Sequence, residues 1–179
     1  MDSTQKLNDI INNMKLLIVV NPQNDFVDGS IGYPDAINVI DRISENIKEF
    51  DDFIYVVESH DKDYLTTVEG KYLQTPHTIK GTKGFEVCDK LKEFKPKTTI
   101  VSNGFGAKGL IDYLEKHEYD EIYLCGLFLH IQVLENAIIA KTFSPLSKII
   151  VLRELSGTYD KKYAMEAENI LRSNHIEVR

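Results

Sequence analysis

Residues 16–29 read LLIVVNPQNDFVDG: five apolar residues run straight into Asn21-Pro22-Gln23-Asn24-Asp25-Phe26. The apolar run is short, branched and without polar alternation, the pattern of a strand covered on both faces in a parallel sheet. The polar residues after it admit two readings. Asn, Pro, Asp and Gly punctuate turns, so one reading is a strand that has simply reached the surface. The other is the rim of a site, because in open parallel sheets ligands sit beyond the carboxyl ends of the strands.

Working outward, short runs at Lys15–Val20, Phe53–Val57, Thr99–Ser102, Glu121–Leu124 and Lys148–Leu152 are β-branched or aromatic and nearly continuous in apolar character. They are expected as parallel strands buried on both faces. Between them apolar residues fall at helical spacing. Ala36, Ile40, Ile43, Ile47 and Phe50 form one such stripe, with Pro34 near its first turn, where a missing N–H costs nothing. Leu110 with Leu114 marks a second, Leu134 with Ala137 and Ile138 a third, and Tyr163, Ala167, Ile170 and Leu171 a fourth. The alternation predicts a doubly wound α/β domain with a mostly parallel sheet, closed by a short strand at Ile176–Val178. Residues 58–97 break the rhythm with a long polar connection of little periodicity, the kind of loop that forms site walls or lids. Residues 1–13 are expected as an N-terminal extension to a domain spanning 14–179.

Composition narrows the class. The chain has 179 residues, 42% hydrophobic and 27% charged, which is ordinary for a globular protein. Its net charge of -7, with basic residues scattered, argues against nucleic acid or an anionic membrane as partner. Two cysteines, Cys88 and Cys125, are too few for a disulfide framework. No basic start leads into an apolar leader, and no window approaches the roughly 20 apolar residues of a membrane span. A cytoplasmic setting is expected.

If the strands are parallel, four polar segments meet at their carboxyl ends: Asn21, Glu58-Ser59-His60, Ser102-Asn103-Gly104, and Gly126 to Gln132. These segments carry a resemblance. VVNPQNDF, ESHDKDYL, TPHTIKGTKGFEV and CGLFLHIQVLENAIIAK are similar to four motifs of the isochorismatase-like cysteine hydrolases, most closely the nicotinamidase branch. Those motifs are V-D-x-Q-N-D-F, D-x-H, P-H-C-x-x-G-T-x-G-x-E and G-L-x-T-D-x-C-V-x-x-T-A-x-x-A, and the likeness spans Lys15 to Val178. It implies a Rossmann-like three-layer α/β/α fold, a pocket for a small amide-like or ring-shaped molecule, and a cis peptide at Leu127-Phe128. It also implies oligomerisation, as a homo-oligomer or with an active paralogue.

The chemistry implied is an Asp that takes the thiol proton, a Lys that holds the Asp, and a Cys that attacks an amide carbon while backbone amides cradle the oxyanion. On this sequence those positions fall on Asn21, Ser102 and Gln132. Asn cannot act as a general base, Ser is short and uncharged, and a Gln amide is not a nucleophile. The isochorismatase branch dispenses with the Cys and uses the Asp as an acid, a route that Asn21 also closes. Cys88 and Cys125 read as inert small residues. Asp25 and Phe26 match the motif beyond the strand, and His130 stands where isochorismatases often have His, so all three are expected at the pocket. Asp25 also reads as a turn carboxylate that caps backbone N–H groups.

Glu58, His60 and His77 have the ligand chemistry of Zn or Mn, and the resemblance implies a divalent metal there. The family has Asp in place of Glu58, and its further ligand near Thr66 is missing. The alternative for the trio is a hydrogen-bonded pocket wall. SNGFGAKG, from Ser102, lacks the spacing of a phosphate loop and reads as a tight strand-to-helix turn. The sequence therefore predicts a catalytically inactive member that binds a small molecule or serves regulation or assembly. The alternative is an amide hydrolase that works without cysteine, by a metal-assisted route.

Overall fold

The computed structural model describes residues 13–179, so all but Asn13 of the expected N-terminal extension lies outside the described residues. Six strands form one sheet: β1 (Lys15–Val20), β2 (Asp52–Glu58), β3 (Thr99–Ser102), β4 (Glu121–Leu127), β5 (Lys148–Gly157) and β6 (Glu177–Val178). Their order is β3-β2-β1-β4-β5-β6, and every neighbouring pair is parallel. The longer helices are α1 (Ala36–Asn46), α3 (Lys108–Leu114), α4 (Leu134–Phe143) and α5 (Lys161–Ser173), which flank the sheet, and the short α2 (Val68–Tyr72) lies in the connection after β2. None among the described residues is long and apolar enough to cross a membrane.

Period-two alternation along the strands divides the core into two layers. Leu16, Ile18 and Val20 of β1 join Leu110, Leu114, Ala137, Ala164 and Leu171 from α3, α4 and α5. Leu17 and Val19 face the other way and pack with Val39, Ile40 and Ile43 of α1 and with Ile47 just beyond it. All five apolar residues from Leu16 to Val20 are fully buried, as a central parallel strand requires.

Three expectations need correction. β3 is an edge strand, and its burial alternates: Ile100 and Ser102 are covered while Thr99 and Val101 face solvent. The stripe of α5 is rotated, because Ala164, Ala167 and Leu171 are buried while Tyr163 and Ile170 are 42% and 44% exposed. Small alanines let that helix lie close to the sheet. The connection at 58–97 is not without structure: it contains α2, a 3-10 turn at Tyr64–Thr66, another at Lys83–Phe85 and a helical turn at Asp89–Lys92.

The chain winds outward from β1 in one direction and from β4 in the other, so the crevice between their carboxyl ends is the switch point of the sheet. Gly126 sits there opposite Val20, at φ +116, and a Cβ on it would run into the Val20 backbone. Gly126→Ala is expected to destabilise the fold by about 2–4 kcal/mol, read as a lower urea midpoint. A midpoint equal to that of the parent would show that the two strand ends do not approach this closely.

Candidate functional site

The polar residues after β1 act first as fasteners. Gln23 is fully buried; its Oε1 accepts the Glu58 N–H at 2.8 Å, and its Nε2 donates to the carbonyls of Glu58 and Phe85, each at 2.8 Å. Asn24 donates from Nδ2 to the Lys83 carbonyl at 2.7 Å. The Asp25 carboxylate accepts the N–H of Ser30 at 3.0 Å and that of Thr78 at 2.7 Å. Together these bonds pin the long 58–97 excursion onto the end of β1.

The pinned segments bring four ligand-type side chains together. Glu58 Oε1 lies 3.1 Å from His60 Nε2 and 2.8 Å from His77 Nε2. The Glu69 oxygens lie 3.7 Å from His60 Nε2 and 3.6 Å from His77 Nε2. One ligand atom from each of the four can be chosen so that all lie within 4.8 Å of one another. Glu58, His60 and His77 are buried and Glu69 is 22% exposed. The buried Tyr64 ring backs both imidazoles, at 4.7 Å and 5.0 Å between centroids.

Glu69 is the residue that sequence reasoning missed. In place of a further ligand near Thr66, the fourth ligand-type side chain comes from the first turn of α2. Thr67 caps that helix by accepting the Gly70 N–H at 3.0 Å. Gly70 leaves no room for a Cβ against the Tyr64 carbonyl, so the turn packs tightly on the backbone beside it. The available signal was a capping Thr with an acidic residue in the following turn.

The electrostatics suit a cation. Burial works against the charge of Glu58, but hydrogen bonds from His60, His77 and Gln132 outweigh it and hold its pKa at about 2. Glu69 moves the other way: burial first, then the charge of Glu58, raise its pKa despite the two histidines. For His77, burial opposes charge, but the Glu58 hydrogen bond, the Thr75 carbonyl and Glu69 raise its pKa overall. Its Nδ1 lies 2.9 Å from the Thr75 carbonyl oxygen, which can only accept. Nδ1 therefore carries hydrogen and Nε2 is the atom turned to the cluster, the orientation that metal-binding histidines have. Two imidazole nitrogens and two carboxylates fit a divalent metal such as Zn or Mn.

The three positions matched to the family's catalytic residues are dispersed among other bonds. Asn21, 2% exposed and at φ 50, donates its backbone N–H to the Val56 carbonyl at 2.7 Å, while its Nδ2 has no partner. Ser102 pairs across from Glu58 in the sheet, but its hydroxyl turns into its own loop and donates to the Gly104 carbonyl at 2.8 Å. Gln132 lies in a π-helical turn, Leu129–Val133, that follows the cis peptide Leu127–Phe128. Its Nε2 donates to Glu58 Oε2 at 2.9 Å, and its Oε1 accepts the Phe128 N–H at 3.1 Å. No hydrogen bond joins Asn21, Ser102 and Gln132 to one another.

Phe26 is buried between the His77 and Phe128 rings, with centroids 6.1 Å and 5.2 Å away. His130 stands apart from the metal-type cluster. It stacks on Tyr163 at 5.0 Å and meets Thr158 Oγ1 through Nδ1 at 2.7 Å. Burial lowers its pKa, with Asp160 offsetting part of the effect.

A model of the isochorismatase domain family matches residues 15–144. The pyrazinamidase of Pyrococcus horikoshii in complex with zinc superposes with a TM-score of 0.78 at 18% identity, covering 92% of this chain and 98% of that one. A nicotinamidase/pyrazinamidase of Acinetobacter baumanii superposes at 0.81 with 17% identity, covering 94% and 96%. The yeast nicotinamidase gives 0.76 at 22% identity, covering 92% and 99%. At these identities the likeness is one of fold. No curated protein matches the chain significantly.

Metal loading tests the cluster directly. Protein incubated with Zn(II) or Mn(II) and then desalted is expected to retain about one equivalent, measured by elemental analysis. His60→Ala and His77→Ala should abolish retention, and Glu69→Gln should weaken it by roughly tenfold or more, whereas Thr66→Ala should not change it. Equal retention in all four variants would place the metal elsewhere, and no retention in the parent would leave a hydrogen-bonded wall.

Proposed function

This chain belongs to the isochorismatase family, and we propose that it is a catalytically inactive member, a metal-holding module that binds a small ligand in a regulatory or assembly role. The observation that carries the reading is Gln132. It stands where the family resemblance puts the nucleophilic cysteine, and its carboxamide is bonded at both ends. An amide nitrogen is not a nucleophile, and this one is already donating to a carboxylate.

The supporting residues agree. Asn21 cannot take up a proton as a base, and Ser102 is occupied in its loop. Neither cysteine substitutes: Cys125 is fully buried within β4, Cys88 is 6% exposed, and burial raises the pKa of both thiols. Glu58, His60, Glu69 and His77 would hold a divalent metal, which supplies an electrophilic point for a ring nitrogen or carbonyl. The reading includes a cytoplasmic setting, in line with two free cysteines, and an oligomer with itself or with an active paralogue.

One observation favours a second reading, amide hydrolysis by a metal-assisted route. Glu69 is partly exposed beside the cluster, and its pKa is raised by burial and by Glu58, the tuning expected of a group that exchanges protons.

Ammonia release from nicotinamide and pyrazinamide separates the two. The parent is expected to show none above buffer, with or without added metal. Gln132→Cys alone should change nothing, because base, cation and nucleophile act as a unit. Turnover in the parent that is abolished by Glu69→Gln would establish the hydrolase reading instead.

A further inference from the structure

The proposed inactivity explains what Gln132 cannot do, but not why its side chain is bonded so completely. A glutamine side chain is itself a primary carboxamide, and here its two ends meet two different elements. The oxygen takes the N–H of Phe128 at the end of β4, and the NH2 group gives a hydrogen to Glu58 at the end of β2. β1 runs between those two strands. Gln132 therefore spans the switch-point crevice, and it is 4% exposed there. Its backbone is fixed as well, since Asn136 Nδ2 donates to the Gln132 carbonyl at 2.7 Å.

A backbone N–H donor and a carboxylate acceptor on opposite sides of a crevice are complementary to a neutral group that carries both an acceptor oxygen and a hydrogen to give, as a primary amide does. An acid would set a second negative charge against Glu58, and a tertiary amide would have no hydrogen to give. We infer that Gln132 is an internal ligand: its carboxamide occupies a primary-carboxamide site formed by Phe128 N–H and Glu58 Oε2, and so keeps that site closed to amides from solution. The inference rests on the inactive reading, because a site filled in this way cannot also present an attacking group to an amide substrate.

Asn21 adds an independent observation at the same end of the sheet. It follows Val20, which pairs with both Val56 and Gly126, so it lies between the strands that carry Glu58 and Phe128. Its Nδ2 is buried with no partner. Gln132 satisfies Glu58 and Phe128 and leaves this donor unmet, as expected where one side chain substitutes for a ligand with further acceptors.

Truncation converts the inference into a binding experiment. Gln132→Ala in the full chain removes a fragment equivalent to acetamide and leaves both hydrogen-bonding groups in place. The variant is expected to melt at a lower temperature than the parent, and tens of millimolar acetamide should restore most of the difference through binding to the folded state. Acetate and N,N-dimethylacetamide should not restore it, and acetamide should not raise the melting temperature of the parent. Gln132→Met fills the space without either bond; it should also melt lower, with no response to acetamide.

Should the alanine variant fail to fold, the parent itself decides. The Gln132 side-chain NH2 protons, identified by their loss in the methionine variant, should exchange with solvent far more slowly than those of exposed Gln74. Fast exchange, or a folded alanine variant indifferent to acetamide, would overturn the internal-ligand assignment and leave the inactive reading intact. Amide turnover by the parent would overturn the inactive reading, and with it a site kept closed to amides from solution.

Discussion

A buried carboxylate must be compensated by hydrogen bonds and opposite charge, or it will not stay ionised in the interior. Glu58 meets that requirement, and the carboxyl end of the sheet is arranged around it. Its Oε1 faces both imidazoles and its Oε2 takes the Gln132 amide. Gln23 clamps its backbone on both sides. The groups that answer this one charge come from the excursion after β2 and the π-helical turn after β4, while the turn after β1 holds the Glu58 backbone. A stable Glu58 therefore requires the whole rim to be in register.

That dependence explains the polar density of the opening stretch. Both readings left open by the sequence apply, to different residues. Asp25 is a turn carboxylate that holds Ser30 and Thr78 through their N–H groups. Gln23 is buried and supports the site directly, as a brace rather than a reactive group. Asn21, at the position the family resemblance matches to a catalytic Asp, carries no group able to exchange a proton near neutral pH.

Much of the fold was legible because it depends on local pattern. β1 and β3 begin and end where the apolar runs do, and of the first helical stripe Ala36, Ile40, Ile43 and Ile47 are buried, while Phe50 is half-buried beyond the helix. What was not legible depends on contacts distant in sequence. Whether β3 lies at an edge is decided by strand order, and nothing in Thr99–Ser102 encodes it. The α5 stripe was misplaced because Tyr163 and Ile170 look like core residues, whereas the sheet accepts the smaller Ala164 and Ala167. At the site, Glu58, His60 and His77 could be named from residue type and spacing. Glu69 could not, since its place depends on a short helix packed against Tyr64. The bonds of Gln132 were equally hidden, because its two partners lie on separate strands.

The account stands on Glu58 as an ionised, fully compensated centre that ties three segments together. Glu58→Gln preserves its size, removes the charge and turns one of its two acceptor oxygens into a donor, so its unfolding free energy in urea, measured without metal at neutral pH, tests that claim most directly. The account predicts a loss of about 3 kcal/mol or more, as expected when one partner of a buried ionic network is removed. A variant within about 0.5 kcal/mol of the parent, the range of ordinary surface changes, would contradict it.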